Sequence, residues 1–183
     1  MLPQTLFLTI SLVDRFAERV QVKRTEYQLL GVTCLHIAAK YEEIYPPYLR
    51  HFVDITDGAY TCENIKDCEA LVLETLDFNL HFPTSLRFLE RYCAIGECSS
   101  EIYYLSRFML ELCMVEVKMN KWNPSMLASA SIYISKKIKE CSIPLSPFMI
   151  SQTGHTEDQI RHCARDICFI LNNVDNKSYY KSI

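Results

Sequence analysis

The stretch Thr25–Lys40, TEYQLLGVTCLHIAAK, sets Leu29, Leu30, Val32, Cys34, Leu35, Ile37, Ala38 and Ala39 around the whole circumference of a helix rather than along one stripe. A helix apolar on every side has no face to give to water, so other helices must surround it. This one element predicts a helical bundle with Thr25–Lys40 at its centre. Gly31 lies inside it at a cost of about 1 kcal/mol against alanine, and is expected to mark the close approach of a neighbouring backbone. His36 is expected to be a core histidine.

Working outward, Cys62–Asp77 is amphipathic instead: Ile65, Cys68, Val72 and Leu76 form one inward stripe, and Glu69 and Leu73 stand one turn apart at its edge. Prolines and glycines fall between such periodic stretches, where a residue lacking an N–H or tolerating positive φ belongs in a helical protein. The spacing predicts helices at roughly 4–19, 25–41, 47–54, 62–77, 84–95, 100–117, 124–139, 145–152 and 156–172. No segment alternates like a strand for long, so the fold class is all-α.

Composition narrows the function. The 183 residues are 49% apolar and 22% charged, which excludes a disordered chain. A net charge of −3 leaves no overall basic field for nucleic acid or an anionic membrane. No apolar run reaches the roughly 20 residues of a bilayer span, and the N-terminus lacks the features of a signal peptide, so an intracellular chain is expected. The four glycines, Gly31, Gly58, Gly96 and Gly154, are too dispersed for a nucleotide-binding loop. Nine cysteines without a C-x-x-C spacing read as mostly reduced thiols, with no metal site. No cofactor is implied, and nothing like G-x-S-x-G places a nucleophile.

Charge divides the chain. Residues 1–83 carry 7 basic and 12 acidic side chains, whereas 84–183 carry 12 and 10. Phe78–Pro83 reads as a short apolar connector between two helical blocks, one that favours their packing together.

Lys40-Tyr41-Glu42-Glu43-Ile44-Tyr45-Pro46-Pro47, following the all-apolar helix, resembles the signature of the cyclin box. The likeness runs on in register through Phe52–Thr61 and Glu69–Phe78, and upstream through Thr5–Thr9 and Val13–Phe16. Ser106–Leu112 and the helix opening at Pro124-Ser125 resemble a second box, in a form closest to the B-type mitotic cyclins. The resemblance implies two tandem cyclin-box bundles: residues 1–82 an incomplete N-terminal box lacking its first helix, and 83–183 the C-terminal box. It also implies a non-catalytic regulatory subunit that binds and activates a cyclin-dependent Ser/Thr protein kinase, in nucleus and cytoplasm. A cyclin-fold interaction module that no longer activates a kinase is the alternative.

Carried over residue by residue, the resemblance implies kinase contacts at Lys40, Glu69, Leu73 and Phe78, flanked by Glu42, Glu43 and Ile44. Taken without it, Lys40 and Glu69 could form only a surface ion pair worth about 0–1 kcal/mol, and Leu73 and Phe78 would be assigned to the core. The family's substrate groove, which takes R-x-L peptides between its first and third helices, would retain Tyr27 and Gln28. With Tyr27 where leucine is usual, and with the facing helix missing, weak or lost R-x-L docking is expected. The same omission should leave the face of Leu6, Leu8, Ile10 and Val13 partly uncovered.

Elsewhere the plainer readings are the expectation. Met109, Met114 and Met119 are expected to be packing residues, and Leu110 of the R-x-x-L at Arg107–Leu110 to be buried. Lys136-Lys137-Ile138-Lys139 is expected to be a solvated helix end favoured by the macrodipole. Asn176–Lys181 resembles the start of the family's basic-aromatic tail.

Overall fold

A computed structural model describes residues 1–139, 141 and 143–173; the Asn176–Lys181 segment lies outside the described residues. Contacts divide the chain into two units, Met1–Phe82 and Pro83–Ile183. The described residues are helical, with no strand.

The first unit holds α1 (Pro3–Arg19), α2 (Tyr27–Glu42), α3 (Leu49–Ile55) and α4 (Cys62–Thr75). Pro3 opens α1 at a position whose N–H has no helical partner to lose. Thr61 caps α4, its hydroxyl accepting from Asn64 N while Asn64 returns a bond to Thr61 N. α2 packs against α1, α3 and α4, as its all-round apolarity requires. Leu30, Cys34, Ile37 and Ala38 of α2 meet Leu8, Leu12 and Phe16 of α1 and Val72 and Leu76 at the end of α4. Phe52 of α3 and Ile65 of α4 close a second cluster on Val32 and Ala39.

The second unit holds α5 (Ser85–Ile95), α6 (Ser100–Met114), α7 (Pro124–Ile138), α8 (Pro147–Thr153) and α9 (Glu157–Asn172). Here α7 is central, against α5, α6, α8 and α9. Its small residues Ala128, Ser129, Ala130 and Ser131 are buried and let these neighbours come close. The buried hydroxyls of Ser129, Ser131 and Ser135 bond back to the carbonyls four residues earlier, at 2.8–2.9 Å, so no polar group is stranded. Met109, Met119 and Leu110 are buried, and Met114 is partly so.

Two expectations need correction. A Cβ on Gly31 would meet no heavy atom within 4 Å, so no backbone crowds it; the crowded glycine is Gly96, where a Cβ would lie 2.7 Å from Met149 Sδ. α6 ends at Met114 rather than 117, because Val115 and Val117 are exposed with nothing to pack on, and a 3₁₀ turn, Val117–Lys121, follows. On α1 the face is partly uncovered: Leu6 is exposed and Ile10 and Val13 half-buried, while Leu8 lies in the core.

Candidate functional site

The C-terminal turn of α2 and the middle of α4 carry the Lys40 and Glu69 side chains into an ion pair. Glu69 is only 15% exposed and Lys40 45%, so the carboxylate is sheltered while the ammonium reaches solvent. His36, one turn before Lys40, places Nε2 3.9 Å from the other carboxylate oxygen and its ring edge-on to Phe52 at 4.9 Å. Burial first, and the Lys40 charge second, hold His36 below its ordinary pKa, against the opposing pull of Glu69. The imidazole is therefore neutral at physiological pH.

About two turns beyond Glu69, the chain leaves α4 through a left-handed cap. Phe78 N donates to Leu73 O at 2.9 Å and Asp77 N to Glu74 O at 3.1 Å, the paired bonds of a Schellman motif. Asp77 and Phe78 both have positive φ, 53° and 54°. A phenylalanine in this region is uncommon, and such outliers concentrate where a side chain must be aimed. Leu73 stays half-buried, packed on the Val72–Leu76 core, whereas Phe78 stands 68% exposed. The core assignment that Phe78 would otherwise receive is thus incorrect. Tyr41 OH lies 3.5 Å from His81 Nδ1, tying the end of α2 to the segment after this cap.

At the last residue of α2, Glu42 is half-buried. The Glu43 carboxylate turns onto α1, accepting from Leu2 N and Thr5 Oγ1, each at 2.6 Å. These bonds hold its pKa below the ordinary carboxylate value. Ile44 is 87% exposed.

The sheltered ion pair is followed in the chain by exposed Tyr41, Ile44, Tyr45 and Tyr48, and an exposed Phe78 follows the helix that carries Glu69. Large apolar anchors and a few oriented polar groups are the composition of protein-binding hot spots. Tyr41, Tyr45 and Tyr48 escaped the residue-by-residue transfer; the available signal was their place beside Lys40 and Ile44. Tyr27 and Gln28, both exposed, start α2 at the opposite end, about 20 Å from Lys40 at 1.5 Å per residue. The structure does not bring them to the other candidates.

The model of the cyclin N-terminal domain matches residues 1–81, and that of the cyclin C-terminal domain residues 83–183. Among curated relatives, a G2/mitotic-specific cyclin-B1 of Carassius auratus is 37% identical over 171 residues, covering 91% of this chain and 43% of the relative. A G2/mitotic-specific cyclin-A of Hydra viridissima is 38% identical over 170 residues, covering 91% and 40%. The chain spans less than half the length of these relatives. A viral cyclin from herpesvirus saimiri superimposes with a TM-score of 0.80 over 92% of this chain and 76% of its own, at 13% identity.

Proposed function

This chain belongs to the cyclin family, with G2/mitotic B-type cyclins among its relatives, and we propose that it binds and activates a cyclin-dependent Ser/Thr protein kinase in mitotic control. The observation that carries the proposal is the sheltered Lys40–Glu69 pair, whose glutamate lies on a helix followed by an exposed Phe78. A pair serving stability alone needs no exposed left-handed aromatic after the same helix. In this reading Lys40 and Glu69 offer polar groups to the kinase, Leu73 and Phe78 provide apolar contact, and Glu42 and Ile44 flank them. Glu43 acts indirectly, by holding the start of α1.

The mechanism is a shift of population. A kinase alternates between an inactive arrangement and one in which its C-helix glutamate pairs with the lysine that holds the ATP phosphates. A partner that binds only the second arrangement favours it. Moving the ratio from 1:99 to 99:1 needs about 5.5 kcal/mol of differential affinity, within reach of an interface of about 1,600 Å² with a few buried anchors. The chain supplies no catalytic atom. Histone phosphorylation by a purified partner kinase, with and without this chain, is the test: stimulation supports activation, whereas binding without stimulation identifies an interaction module.

A further inference from the structure

α5 ends in the same left-handed cap as α4, but with sulfur at both of its contact positions. Cys98 N donates to Cys93 O at 2.9 Å and Glu97 N to Ala94 O at 3.4 Å, while Glu97 takes φ 45°. In a Schellman motif these bonds bring together the side chains of the residues third from the helix end and second beyond its cap, a place commonly held by two hydrophobes. Here they are Cys93 and Cys98, and both line one pocket.

The surroundings differ from those of an inert buried thiol. An open pocket of about 270 Å³, lined by both cysteines with Tyr103 and Tyr104, gives small molecules access. Lys136, the first lysine of the run expected to be solvated, turns inward, with Nζ 3.4 Å from Met149 Sδ and its charge acting on Cys98. The neighbouring Cys93 thiol first, and the Lys136 charge, pull Cys98 below its ordinary value against the opposing effect of burial, while Cys98 and burial push Cys93 up. By contrast Cys34 and Cys113 are buried without such partners and are pushed up to about 12.

We propose that Cys93 and Cys98 form an oxidation site for small hydroperoxides, with Cys98 the attacked thiol and Cys93 the resolving one. In the first step the Cys98 thiolate attacks one peroxide oxygen; the S–O bond forms, the O–O bond breaks, and hydroxide leaves to take a proton from solvent. In the second, the Cys93 sulfur attacks the Cys98 sulfenic acid, forming the S–S bond; the S–O bond breaks and the departing hydroxide takes the Cys93 proton as water. Two thiols are oxidised and one peroxide is reduced to two waters. The bond would clasp the end of α5 to the start of α6. The proposal is independent of kinase binding.

The test is limiting hydrogen peroxide on the whole chain, followed by alkylation and peptide mapping. Trypsin leaves both cysteines on the peptide Tyr92–Arg107, which should appear unalkylated and two hydrogen atoms lighter before any other cysteine is oxidised; cleavage after Glu97 should leave its halves joined. Without peroxide, Cys98 should be alkylated at least about tenfold faster than Cys62 or Cys168, and Lys136→Met should remove most of that advantage. Cys93→Ser should leave a Cys98 sulfenic acid that dimedone traps. Equal alkylation of Cys98 and Cys62, or oxidation of Cys98 to sulfinic acid in the wild-type chain without linkage to Cys93, would overturn the proposal.

Discussion

The amide of Phe78 donates to the carbonyl of Leu73 at 2.9 Å, and that bond turns the chain out of α4 so that Leu73 packs inward while Phe78 faces solvent. The phenylalanine holds φ at 54°, a conformation that costs an L-residue about 1–2 kcal/mol and glycine almost nothing. Phe78→Gly should therefore leave the melting temperature unchanged or raise it by a few degrees, while weakening kinase binding tenfold or more. Thermal denaturation and titration calorimetry read the two effects separately. A large drop in melting temperature would return Phe78 to a structural role.

His36 makes the first unit sensitive to mild acid. Its folded pKa lies below the ordinary 6.5, so below that pH the unfolded chain takes up a proton that the folded chain resists. Stability should be intact above pH 6.5, fall as the pH drops below it, and level off beneath the folded pKa. Lys40 adds to the depression and Glu69 opposes it, while Phe52 packs on the ring. Melting curves from pH 7.5 to 5.5 should show His36→Gln losing less stability than wild type, with Lys40→Met in between. Parallel curves for all three would show that this histidine is not the source.

Glu43 is expected to act through α1. With its depressed pKa, its contribution is present above the ordinary carboxylate value of 4.5 and lost as the pH falls through the lower folded value. At neutral pH, Glu43→Ala should cost about 1 kcal/mol, the usual worth of an end cap, and speed amide exchange in the first turn of α1. Unchanged exchange at Thr5 and Leu6 would show that the Leu2 and Thr5 bonds do not hold that end.

Substrate docking is predicted to be weak. Tyr27 is exposed at the start of α2, and a labelled R-x-L peptide should bind this chain with worse than low-micromolar affinity. Low-micromolar binding that Tyr27→Ala abolishes would contradict this.

Much of the fold was legible because its determinants are local. The all-round apolarity of Thr25–Lys40 and the stripe of Cys62–Asp77 announced a central helix and a peripheral one, and prolines marked the ends. Pro147, for example, starts α8 at its first residue, with Ser146 as cap to Met149 N. What escaped depends on which groups meet across the chain. Gly31 was misread because a helical glycine signals a close neighbour only if one arrives, and none does. Lys136 looked like its solvated neighbours because nothing in a lysine run tells which member turns toward a thiol 38 positions away. The exposure of Phe78 was hidden because a left-handed cap without glycine leaves no local mark.

The account stands or falls on the surface built around Lys40 and Glu69. The double exchange Lys40→Glu with Glu69→Lys keeps two opposite charges in reach of each other, so the chain should still fold, with an unchanged helical spectrum and a melting temperature within a few degrees of wild type. The measurement is co-purification of the cyclin-dependent kinase with this exchanged chain. Loss of the kinase from a folded double variant is the predicted result; retention at wild-type strength would contradict it.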